Sequence, residues 1–166
     1  MRSRAVMAAP LVVDPNEGAV SIGGRPELLV GGIGLDRVQA TLAPFISTQN
    51  EWDGGGHHYH RVECAPGDHE DHLTFGDWRC GFVATTQDAR LLLLYWDLWP
   101  PKGAYWPAGG ATEDDQLWVL QSTLRAQLSR PFEERAEYFG WGYAWCGPEL
   151  HSGRPHARIH YGDADS

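Results

Sequence analysis

The apolar residues of this chain come in short runs of two different periods, separated by turn residues. In "AVSIGGRPELLVGG" (19–32) two apolar runs flank GGRP. Glycine supplies the positive φ of a tight turn, so the stretch predicts a β-hairpin. "GLDRVQATLAPFI" (34–46) changes period: Leu35, Val38, Leu42, Phe45 and Ile46 recur near helical spacing. That predicts a short helix with Asp36 as its N-cap and Pro44 near its end. Residues 47–58, which contain DGGG, read as a loop. "YHRVEC" (59–64) then reads as a short strand and "APGDHEDH" (65–72) as polar turn chemistry.

The strongest β signal is "LTFGDWRCGFVATTQDARLLLLYWDLW" (73–99), where two runs rich in aromatic and aliphatic residues flank TQDAR. The run Leu91–Trp96 is continuously apolar, which predicts a central strand covered on both faces. A Pro/Gly-rich loop (100–111) leads into "TEDDQLWVLQSTLRAQL" (112–128). There Thr112 reads as the cap, with Asp115 three residues on, and Leu117, Leu120, Leu124 and Leu128 form one stripe. "AEYFGWGYAWCG" and "HARIHYGD" predict a last hairpin around "PELHSGRP". Strands are grouped and not alternated with helices. The expectation is therefore an α+β fold: one domain over residues 18–163, an antiparallel β-sheet with two main helices packed on one face. Residues 1–17 read as a flexible N-terminal arm.

Composition narrows the partners. The 166 residues are 42% hydrophobic, enough to bury a core within one domain. A net charge of −9 repels phosphate backbones, so no nucleic-acid partner is expected, and a basic protein partner is favoured. Twelve of the thirteen basic residues are arginine, which codon usage in a GC-rich genome explains. Cys64, Cys80 and Cys146 are odd in number and form no C-x-x-C pair. That predicts buried thiols in a reducing, cytoplasmic setting. The start "MRSRAVMAAPLVV" mimics a signal peptide, but Pro10 interrupts the apolar run. No segment reaches the ~18–20 apolar residues of a membrane span, so no membrane partner is expected.

"HHYHRVECAPGDHEDH" (57–72) holds five of the eight histidines. On a strand, His58 and His60 share a face, and with His69 and His72 they make a candidate tetrahedral zinc set for a small metal-dependent hydrolase. The spacing argues against it. There is no H-E-x-x-H, "HEDH" has the wrong interval, and a turn does not align the rings. No metal and no cofactor is therefore expected. No serine sits in a G-x-S-x-G elbow, and the glycine pairs make neither a P-loop nor a dinucleotide fingerprint. Trp78, Trp96, Trp141 and Trp145 fall in strand-like runs and are expected in the core, whereas Trp52, Trp99 and Trp106 fall in or beside loops.

The segments "PELLVGGIGLDRVQATL", "DWRCGFVATTQDARLLLLYW" and "FGWGYAWCGPELHSGRPHARIHYGD" resemble, in layout and in a few phrases, small bacterial immunity proteins of polymorphic or contact-delivered toxin systems. The resemblance spans most of residues 20–163 and leaves out the histidine-rich and Pro/Gly-rich loops. It implies a non-enzymatic protein that binds and neutralises one cognate, basic toxin. On that reading Asp53, Asp68, Glu70 and Asp71 would supply the acidic charge, and Trp52 or Trp106 would anchor. A ligand-binding or regulatory module stays open beside it, as does the metal-dependent hydrolase.

Overall fold

The computed structural model describes residues 6–66, 71–99, 113–132, 136–149 and 153–162. In chain order these form strands β1 (Ala8–Val13), β2 (Val20–Ile22) and β3 (Leu28–Leu29), then helix α1 (Leu35–Leu42). A single 3-10 turn at Ala43–Phe45 leads to β4 (Thr48–Gly54), β5 (His57–Cys64), β6 (His72–Phe75), β7 (Trp78–Gln87) and β8 (Arg90–Trp99). Helix α2 (Glu113–Leu128) precedes β9 (Glu137–Phe139), β10 (Gly142–Pro148) and β11 (Pro155–Tyr161).

All eleven strands join one sheet, in the order β3-β2-β1-β6-β7-β8-β11-β10-β9. The β4–β5 hairpin branches from it, because β5 pairs with the second half of β7 while β6 pairs with the first. The sheet is mixed: β1 runs parallel to β6, with Ala8 opposite His72 and Pro10 opposite Thr74. This overturns the expected α+β fold, an antiparallel sheet with two main helices packed on one face. The helices are minor elements of 8 and 16 residues beside a predominantly β structure.

Two strands, β1 and β4, fall where the sequence predicts irregular structure, for different reasons. β1, in the supposed N-terminal arm, alternates strictly and buries Ala9, Leu11 and Val13. Pro10 hides that alternation in the sequence; its side chain faces outward, and its carbonyl still accepts from Gly23 N at 2.8 Å. β4 lies inside the supposed 47–58 loop. Every one of its seven residues is exposed, so it carries no apolar alternation to read.

The core lies on one face. Trp96 is fully buried, edge-on to Phe75 at 5.2 Å between ring centres and stacked on Phe82 at 5.9 Å. Leu120, Leu124 and Leu128 bring α2 onto β10, β11 and β1, and Val38 and Leu42 bring α1 onto β3, β5 and β8. Helix α1 starts from Gly34 as N-cap, with Asp36 inside the first turn and not at the cap. There its charge still faces the positive end of the helix. Thr112, the expected cap of α2, lies outside the described residues. Trp118 on α2 is 70% exposed, and Gln116 is buried on the other side.

β8 corrects a further expectation. Leu91–Trp96 is not covered on both faces: Leu91, Leu94 and Trp96 are buried, while Leu93 and Tyr95 are half-buried on the opposite face. The same holds for Trp145, expected in the core and found beside Arg158 on that second face. Trp78 and Trp141 pack at the margin of the core.

Gly142 opens β10 at φ 148°, where an added Cβ would lie 1.9 Å from the carbonyl oxygen of His160. Backbone cannot retreat as a flexible side chain can. Gly142→Ala is therefore expected to lower unfolding stability by about 2 kcal/mol or more. The denaturation midpoint of the purified variant against wild type measures it.

Candidate functional site

The residues singled out by sequence gather on the β4–β5 hairpin. Gly55 and Gly56, at φ 59° and 82°, form its two-residue turn. Both glycines are needed there, because a primed turn has positive φ at both central positions and matches the strand twist. Register then sets the neighbours: Asp53 faces His58, Trp52 faces Tyr59 and Glu51 faces His60.

Alternation sorts these pairs onto two faces. On one, acids and histidines interleave. His58 Nδ1 is 2.7 Å from Asp53 Oδ1, and its Nε2 is 3.3 Å from Glu51 Oε2. The same Glu51 oxygen is 3.5 Å from His60 Nδ1, and His60 Nε2 is 2.8 Å from Gln49 Oε1. Gln39 on α1 donates to that Gln49 oxygen at 2.9 Å. On the other face Trp52 stacks on Tyr59, with 5.4 Å between ring centres, and His57 meets Tyr59 edge-on. Arg61 pairs with Glu63 at 2.7 Å and donates to the Tyr95 hydroxyl.

Asp88 latches the tip to the central hairpin. It sits in the β7–β8 turn at φ 50°, a left-handed conformation that Asp tolerates better than most residues. Its carboxylate accepts from His58 N at 3.0 Å and meets His57 Nδ1 at 2.6 Å, while its own N donates to His58 O at 2.7 Å. The backbone donor of His58, then the His57 ring, hold the Asp88 carboxyl below its usual range. His58 moves the other way. Hydrogen bonds donated to Asp53, then to Glu51, favour its charged form and raise it above the ordinary histidine value.

The other expected residues scatter. Asp71 accepts from Met7 N at 3.0 Å, tying the start of β6 to β1. His72 begins β6, opposite Ala8. β6 and β5 use opposite halves of β7, so His72 lies on the order of 20 Å along the strands from His58. Asp68, His69, Glu70 and Trp106 lie outside the described residues. Among the described residues no group of three or more His, Cys, Asp or Glu side chains is disposed to hold a metal ion. Burial pushes the Cys64 and Cys146 thiols up to about 12, so neither is a ready nucleophile. Among the described residues no helix is long and apolar enough to cross a membrane.

Comparison with protein-family models, with curated proteins and with solved structures yields no match.

Sequence reasoning missed Glu51, Tyr59, Asp88 and Tyr95. For the first two a signal existed: "NEWDGGGHHYH" places E-W-D and H-Y-H symmetrically about a glycine turn, which pairs each acid with a histidine. Asp88 and Tyr95 approach through the β5–β7 pairing, a contact that local sequence does not carry.

Because the folded value of His58 is raised, its attraction to Asp53 and Glu51 is complete below ~6.5 and is lost as pH rises through that raised value. The imidazole should titrate above ~6.5 by NMR, and Asp53→Asn should bring it down. Asp88→Ala should free the tip, seen as several-fold faster amide exchange at His58 with little change in the β10–β11 amides.

Proposed function

We propose that this is an immunity-type binding protein that neutralises a cognate basic toxin in the cytoplasm by protein–protein contact, with the β4–β5 hairpin as its contact surface. The observation that carries the reading is strand β4. It is an edge strand, exposed at all seven residues, and it presents Trp52 between Glu51 and Asp53. An edge strand offers unpaired backbone donors and acceptors, and charged side chains guard it against indiscriminate pairing. Here the guarding charges are acidic, in keeping with the net charge of −9, and select a basic partner. Trp52, 43% exposed and pre-stacked on Tyr59, is an aromatic anchor that loses little freedom on binding. The three free cysteines agree with a reducing compartment.

The test uses the protein encoded directly upstream of this chain, expressed with it and with a Glu51→Lys/Asp53→Lys variant. Wild type is expected to form a complex. The variant is expected to associate about tenfold or more slowly at low salt, with the difference shrinking as salt is added. No complex with the neighbour, or rates unchanged by the reversal at any salt, rejects the reading.

A further inference from the structure

The second face of the sheet holds a cleft of about 290 Å³, lined by Tyr95, Asp97, Glu149, Arg154, His156 and Arg158 among others. Register builds it from two adjacent rows across β7, β8, β11 and β10. In the first row Gly81 faces Asp97, and Gly147 faces His156. In the second, Val83, Tyr95, Arg158 and Trp145 succeed one another. The glycines at the two ends of the first row shape the space. A Cβ on Gly81 would lie 2.7 Å from Asp97 Oδ1, and one on Gly147 would lie 2.6 Å from the Trp145 ring. The carboxylate and the indole therefore lie down over the glycines, which leaves the middle of the sheet open.

The polar groups in this space are unevenly satisfied. Arg154 pairs with Asp97 at 3.4 Å and covers the Trp99 ring at 4.4 Å. Arg158 differs. Among the described residues no carboxylate lies within ion-pair distance of it, and its buried Nε has no hydrogen-bond partner. Its nearest polar contact is a long one, Nη2 to His156 Nε2 at 3.5 Å, and its guanidinium lies 5.8 Å from the Trp145 ring centre. Leaving the Nε donor of the guanidinium buried and without a partner is costly. Tyr95 adds one more donor. Arginine can only donate, so the Arg61–Tyr95 bond makes the Tyr95 oxygen an acceptor and leaves the phenolic hydrogen for another partner. Burial, then the nearby Arg158 charge, lower the proton affinity of His156.

We propose that this cleft binds a small molecule through one anionic head group, a carboxylate or a phosphate, held by the guanidinium of Arg158 and the hydroxyl of Tyr95. A planar fork of two N–H donors matches two oxygens of such a group, and the phenol supplies a third donor beside it on the neighbouring strand. The volume limits the ligand to a small one, at the lower end of the range for ligand pockets. This site is separate from the acidic hairpin and does not rest on the role given to it.

The full-length protein would be titrated with inorganic phosphate and, separately, with benzoate, at ionic strength held constant with sodium chloride, and followed by NMR. Saturable shifts of the Trp145 indole and Arg158 Nε–H resonances are expected with at least one anion, and the stronger binder identifies the head group. Arg158→Gln should weaken that binding about tenfold or more, since a charge-assisted hydrogen bond is lost. Arg158→Lys, which keeps the charge but not the fork, and Tyr95→Phe, which keeps the ring but not the donor, should each weaken it less. These two keep the test open should the glutamine variant not fold. The proposal is overturned by no saturable shift with either anion. It is equally overturned by shifts confined to other arginines, or by affinity unchanged in the Arg158 and Tyr95 variants.

Discussion

The pairing of β7 with β8 is the constraint on which the rest depends. These ten-residue strands are joined by a two-residue turn at Asp88 and Ala89, both in left-handed conformations, and every other strand hangs from one of their edges. β5 and β6 share the free edge of β7, and β11 takes that of β8. Because the period of a strand is two, fixing this register also fixes which side chains of the neighbouring strands face the core. Trp96 sits at the middle of the covered face, so the same pairing that aligns the strands places the largest buried side chain against Phe75 and Phe82.

The two faces of the sheet have different chemistry. One is apolar and takes the helices. The other carries half-buried Tyr95, Asp97, Arg158, His160, Tyr143 and Trp145. His160 stacks on Tyr143 with 5.0 Å between ring centres, and burial followed by the Arg158 charge lowers its proton affinity, as for His156. His156 and His160 thus differ from His58 in their surroundings. Those on the second face of β11 are driven toward the neutral form by burial and a neighbouring cation. His58 on the hairpin is driven toward the charged form by two carboxylates.

Beyond the β5–β7 pairing, one side chain ties the tip of the hairpin to the turn of the central pair. Asp88 is both the turn residue of β7–β8 and the acceptor for the β5 tip, so a single carboxylate links the conformation of the acidic surface to the turn that organises the sheet. Tyr95, whose hydroxyl accepts from Arg61, also lines the cleft. One arginine on β5 therefore touches both the hairpin, through Glu63, and the cleft, through Tyr95.

Local pattern determined the elements whose side chains divide between core and solvent. The β7–β8 hairpin, the β2–β3 hairpin, both helices and the pairing of β10 with β11 were all legible, because burying one face imprints its period on the chain. β4 was not legible, because a strand exposed on both faces has no apolar period. β1 was obscured by a proline at an outward position. The run Leu91–Trp96 misled, because an apolar side chain half-buried on an open face is indistinguishable in sequence from one in the core. Residue type alone made the 57–72 cluster resemble a metal site. Its actual partners, Asp53, Glu51 and Asp88, were decided by strand register across a glycine turn and by the docking of β5 on β7. The cleft was decided in the same way: Tyr95, Arg158 and the glycines at 81 and 147 are far apart in the chain, and only the pairing of four strands sets them side by side.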